Sequence, residues 1–143
     1  MMITEQDLDV LARTIYGEAR GEYYRKDGGM ASLIAVANVV MNRVRQQTWF
    51  GKTIAETCQK PWQFSCWNAA DPNRLILRQR YINDTLFLLC LQVAEGVACK
   101  DWPDITKKAD HYHSVLIDQP PKWAVNREHK VRMGQHLFYQ LGG

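Results

Sequence analysis

Leu11-Ala12-Arg13-Thr14-Ile15-Tyr16-Gly17-Glu18-Ala19-Arg20-Gly21-Glu22 is the stretch whose reading decides the rest of the chain. Leu8, Leu11, Ala12 and Ile15 recur at helical spacing, which buries one face of a first helix. Upstream, Thr4 and Asp7 have the spacing of a capping box, and the early acids favour the helix dipole. Gly17 and Gly21 weaken a helix and predict its end inside this stretch. Two carboxylates, Glu18 and Glu22, then stand at a helix end among glycines, a setting that suits a group delivered into a cleft. Two readings follow from the residues alone. Glu18 is a reactive acid with Glu22 on the same helix face, or both are solvated acids paired with Arg20, Arg25 or Lys26.

Outward from there, Asp27-Gly28-Gly29 marks a turn, and the spacing predicts a second helix over 30–45. Leu33, Ile34, Ala37, Val40, Met41 and Val44 form one face, widened by Val36 and Val39, so this is the expected central helix. Residues 47–73 are long, aromatic and irregular, with one helical turn expected at 53–57; loops of that kind commonly carry function. A third helix is expected over 81–94, with Gly96 near its end. Beyond it, His136-Leu137-Phe138-Tyr139 reads as a short strand that pairs with the region 112–116.

A chain of 143 residues with 46% hydrophobic and 23% charged residues is expected to be one globular domain spanning 1–143. No apolar run has the length of a membrane span, and the polar N-terminus lacks the pattern of a secretory signal. Synthesis in a cytoplasm is the expectation. The net charge of +3 is spread without a basic tract, which argues against nucleic acid and suits an anionic polymer such as a cell wall. Cys58, Cys66, Cys90 and Cys99 show no metal-type spacing and are expected to be buried thiols, with Cys58–Cys66 or Cys90–Cys99 bridges as the alternative.

Chemistry could come from three places. A carboxyl group buried beside aromatic residues serves as a general acid, which is what Glu18, two positions after Tyr16 in a chain rich in tryptophan, suggests. His111 and His113 share a strand face and suit a metal, or a Cys66–His nucleophilic pair, but no third ligand stands at a diagnostic spacing; no metal or other cofactor is expected. Trp62-Gln63-Phe64-Ser65-Cys66-Trp67-Asn68 interleaves flat rings with amide and hydroxyl groups, as a polysaccharide groove requires and as a plugged core also permits.

Taken together, the blocks at 11–22, 35–44 (Ala-Val-Ala-Asn-Val-Val-Met-Asn-Arg-Val) and 58–68 (Cys-Gln-Lys-Pro-Trp-Gln-Phe-Ser-Cys-Trp-Asn) resemble the SleB-type cell wall hydrolase family of spore-cortex-lytic enzymes and phage endolysins. Asp71-Pro72-Asn73, Ala109-Asp110-His111-Tyr112-His113, Pro121-Lys122-Trp123-Ala124 and Gly134-Gln135-His136-Leu137-Phe138-Tyr139 extend the resemblance, in the family's order, over nearly the whole chain. It implies an α+β, mainly α, lysozyme-like domain with a small β element, acting on the glycan strands of peptidoglycan. By the same resemblance Glu18 is the catalytic acid, and cleavage of the MurNAc–GlcNAc bond leaves a 1,6-anhydro end rather than a hydrolysed one. Glu22 is expected in support, with Gln63, Ser65, Trp67, Tyr112 and His113 lining the groove. A muramidase using water, a wall-binding module without catalysis and a metal-dependent amidase are the alternatives. The expected setting is a monomeric phage lysin made in the cytoplasm that reaches the periplasmic wall after membrane breach. Tyr23-Tyr24 stands where many relatives carry a proline, so the cleft edge is expected to differ.

Overall fold

Thr4 caps the first helix as its spacing predicts: its hydroxyl accepts the Asp7 N–H, and the Asp7 carboxylate accepts the Thr4 N–H. In the computed structural model, which describes residues 2–143, helix α1 then runs Glu5–Tyr23. It passes through both glycines that were expected to end it. Leu11, Ile15 and Ala19 are fully buried on its inner face, and that packing outweighs the roughly 1 kcal/mol a helical glycine costs against alanine.

Helix α2, Met30–Gln46, is the central element: Leu33, Val36, Val39, Val40 and Val44 have no exposed surface. α3 is Ile54–Gln59, close to the turn expected at 53–57. α4, Asn73–Leu77, is too short for periodicity to reveal. α5 runs Thr85–Cys99 instead of 81–94, because Asp84 is its cap, accepting the Leu86 N–H at 2.9 Å. Helices α1, α2 and α5 pack against one another around a single apolar core. Among the described residues, no helix is long and apolar enough to cross a membrane.

A three-stranded antiparallel sheet lies after the helices: β1 His111–Ser114, β2 Val131–Met133 and β3 His136–Tyr139, in the order β1–β3–β2. The β1–β3 pairing matches the expectation, with Tyr112 opposite Phe138; β2 is additional, joined to β3 by a turn at Gly134 with φ 56°. Polar residues of α2 hold the segment that enters β1. Asn38 accepts the Ile105 N–H, Asn42 donates to Asp104 and to the Ala109 carbonyl, and the Arg43 Nε–H donates to the Asp110 carbonyl at 2.7 Å. Each is buried, so each bond replaces lost solvation. The four cysteines are free thiols: Cys58, Cys66 and Cys90 are buried as expected, Cys99 is exposed, and neither alternative bridge forms.

Candidate active site

Because α1 does not stop at Gly17, Glu18 is delivered from a rigid helix rather than from a loop. Its half-buried carboxylate meets two other elements. Oε2 accepts the Cys66 N–H at 3.0 Å and the Ser65 hydroxyl at 3.3 Å, both from a short 3-10 turn at Ser65–Trp67. Oε1 accepts the hydroxyl of Tyr112 from β1. Burial raises the Tyr112 hydroxyl well above its ordinary pKa, and the charge and hydrogen bond of Glu18 push it further the same way. Tyr112 is therefore a proton donor to Glu18 throughout the physiological range.

The solvated ion-pair reading does not describe these acids. Arg25 pairs with Asp27, while Arg20 donates to the Tyr16 hydroxyl and the Asn73 side chain. Glu22, one turn beyond Glu18 and 9% exposed, accepts the backbone N–H of Gln135. The same β2–β3 turn is tied to the α1–α2 loop where the Gly134 N–H donates to the Asp27 carbonyl at 2.8 Å. Glu22 thus clamps the hairpin, and through β3 the strand that carries Tyr112. Glu22→Ala is expected to destabilise the fold by about 1–3 kcal/mol, the worth of a hydrogen bond to a charged group, seen as a lower urea midpoint. An unchanged midpoint would remove the clamp from the account.

The other residues expected to line a groove divide. Ser65 and Tyr112 touch Glu18 directly. Gln63 donates to the carbonyls of Phe50 and Thr57, both at 2.7 Å, knotting the aromatic loop while bordering an opening of about 280 Å³ shared with Tyr112. Trp67 turns inward, its indole N–H donating to Thr14 at 2.9 Å. His113 faces away from Tyr112, as successive strand residues do, and its ring stacks on Tyr139 with Nε2 3.0 Å from that hydroxyl.

His111 is bound through Nδ1 to Asp110 at 2.9 Å. Burial alone would raise the Asp110 carboxyl, but hydrogen bonds from His111, the Leu141 N–H, Gln46 and the Gly142 N–H outweigh it and hold it well below the usual range. Burial, then the charge of Glu18, push the Cys66 thiol far above its ordinary value, which is the reverse of what a Cys–His nucleophile needs. Among the described residues, no three His, Cys, Asp or Glu side chains gather at metal-binding distances.

Sequence reasoning gave no site role to Arg43 and Trp123, which with Trp62 of the aromatic loop also border the 280 Å³ opening, or to Asp71, which borders a second of about 410 Å³ together with Ser65. Trp62 belongs to the wall of both openings and is 85% exposed. Its ring sits between Pro61 and Gln63 in the aromatic loop, but nothing in the sequence separates it from Trp67, which is turned inward.

Comparison with known proteins agrees with this architecture. The catalytic domain of the Bacillus cereus SleB protein is 26% identical, superposes with a TM-score of 0.67, and the match covers 97% of this chain and 93% of that one. The catalytic domain of the germination-specific lytic transglycosylase SleB from Bacillus anthracis shares the fold at 23% identity, with a TM-score of 0.66 and 96% of each chain covered. No curated protein matches the sequence. The family model described as cell wall hydrolase matches residues 28–139, a span that begins downstream of Glu18 and takes in the central helix, the aromatic loop and the sheet. With most of its length under that one description, the chain belongs to the cell wall hydrolase family.

Proposed function

We propose that this enzyme cleaves the β-1,4 bond from N-acetylmuramic acid to N-acetylglucosamine in peptidoglycan, with Glu18 as its only acid and base. The observation that carries this reading is the division of labour between the two glutamates. Glu18 stands half-buried and bonded to Ser65 and Tyr112, each of which borders an opening, whereas Glu22 is buried against the hairpin turn. A glycosidase that recruits water needs a second carboxylate across the bond. One carboxyl suffices if the sugar supplies its own nucleophile.

Glu18 gives its proton to the bridging oxygen as the C1–O bond breaks, leaving a free 4-hydroxyl on N-acetylglucosamine. The C6 hydroxyl oxygen of the muramic acid residue closes on C1, and its proton passes to the Glu18 carboxylate. No water enters, the product end is 1,6-anhydro, and the enzyme regains its starting state. The Cys66 N–H, Ser65 and Tyr112 hold the carboxylate in place during the exchange.

A second reading has one observation in its favour: Asp71 borders the opening next to Ser65 and could activate water there. Mass spectrometry of digested sacculi separates the two. Anhydro ends are expected, and Asp71→Asn is expected to leave them in place with activity largely intact. Reducing ends, with a loss of about 10²-fold or more in Asp71→Asn, would transfer the reaction to water.

We take the working form to be a monomer, one domain over 1–143, acting as a lysin on the periplasmic wall. The small positive charge favours an anionic wall, and rescue of a lysis-defective phage tests the setting.

A further inference from the structure

The 280 Å³ opening beside Tyr112 contains a cation that the reaction just described does not use. Arg43, on α2, is 6% exposed, and its guanidinium lies 4.8 Å from the Phe50 ring centre and 4.9 Å from that of Phe64. Its Nε–H is taken by the Asp110 carbonyl. Its terminal amino groups have no hydrogen-bond acceptor among the described residues, and no carboxylate forms an ion pair with it there. The two nearby acids are occupied, Asp110 by His111, Gln46 and two backbone N–H groups, Glu18 by Tyr112, Ser65 and the Cys66 N–H. Burial lowers the pKa of Arg43, which the negative groups around it offset only in part. A buried guanidinium that borders an opening with donors to spare is a site for a planar anion.

We propose that Arg43 binds a carboxylate of the substrate: the free D-lactyl group on C3 of the muramic acid residue being cleaved. This rests on the glycosidase reading above. That carboxylate is on the same ring as the reacting C1, and Tyr112 contacts Glu18 while bordering the Arg43 opening, so one sugar spans both. In intact wall the lactyl group is amide-linked to a peptide and carries no charge. Trp62 and Trp123 in the wall of the opening give a sugar ring flat faces to rest on beside Arg43. Strands whose lactyl groups are free therefore gain a contact with Arg43 that amide-linked strands lack.

The test compares peptide-free glycan strands with the same strands after their lactyl carboxylates are converted to methylamides. The parent enzyme is expected to favour the acid form by at least ~10-fold in kcat/KM, as for a charge-assisted hydrogen bond. Arg43→Gln is expected to bring the ratio near unity, and Arg43→Lys to leave it intermediate. Equal rates for the parent on both strands overturn the proposal, with no variant needed. Should Arg43→Gln not fold, ¹⁵N-detected titration of the Glu18→Gln protein with N-acetylmuramic acid decides. The Arg43 Nε signal is expected to move with the acid and to stay put with its lactyl amide; the same response to both overturns the subsite. Binding of the acid without strand cleavage by the parent keeps the subsite and sinks the glycosidase reading, while cleavage at equal rates does the reverse.

Discussion

Glu18→Gln is expected to reduce cleavage of cell-wall glycan by about 10³-fold or more while leaving the protein folded. The amide keeps the shape of the carboxylate. Its oxygen can still accept the Cys66 N–H, and its NH₂ can donate to the Tyr112 oxygen, reversing a bond that now runs the other way. What it lacks is a proton to give to the leaving oxygen and a charge to recover it. Since one group performs both transfers in the proposed reaction, there is no second residue to take over half of the work. The thermal midpoint is expected to hold or to rise, because catalytic groups are commonly kept at some cost to stability. Glu18→Asp sharpens the test. It retains the chemistry but withdraws the carboxyl by one methylene from Tyr112 and the 65–67 turn, and a displacement of that size is expected to cost about 10²-fold. Clearing of sacculi by Glu18→Gln at the parental rate would end the case for Glu18.

What could be read from the residues, and what could not, follows from the range of the interactions involved. The apolar faces of α1 and α2 were legible because burial repeats every three or four residues, and Leu11, Ile15, Leu33 and Val40 are indeed fully buried. The cap at Thr4 was legible as a pattern within four residues, and β3 as an apolar run, although its pairing with β1 joins residues more than 20 positions apart. The site was less so. Glu18 meets Ser65 across 47 residues and Tyr112 across 94, and no spacing rule connects such partners. Trp67 and Trp62 looked equivalent in a loop of rings, yet one donates to a buried threonine and the other is bare to solvent. No local pattern marks Arg43; its enclosure by Phe50 and Phe64 depends on where the 47–64 segment returns. The glycine error is the instructive one. Helix propensity marked Gly17 and Gly21 as an end, whereas tertiary contact decides whether a glycine stops a helix or lets something approach it.

Gly17 is the position where that distinction has the largest consequence, and Gly17→Ala is expected to be both less stable and less active. A methyl group built there would lie 2.7 Å from the Cys66 Cβ, 2.9 Å from its sulfur and 2.9 Å from a Leu77 methyl. The leucine end can rotate aside. Cys66 cannot, because its Cβ is fixed by the backbone of the very turn whose N–H holds Glu18. On propensity alone alanine would gain up to about 1 kcal/mol in a helix, so a stabilised variant is the outcome if space were available. Overpacking a tight site costs roughly 1–3 kcal/mol, and the contact distances decide for the clash. The relief available is for the 65–67 turn to move off α1, which lengthens the Cys66 and Ser65 bonds to Glu18 together. Activity is therefore expected to fall further than stability, with kcat reduced by about 10²-fold for a displacement near 1 Å while the chain remains folded at room temperature. Gly21→Ala is the control: beyond the backbone of its own helix and its chain neighbours, nothing lies within 4 Å of its added methyl group, so it should recover helix propensity and raise the thermal midpoint without loss of rate. If Gly17→Ala were instead as active and as stable as Gly21→Ala, the turn would not be seated on the helix through Gly17, and the precise placement of Glu18 would need another source.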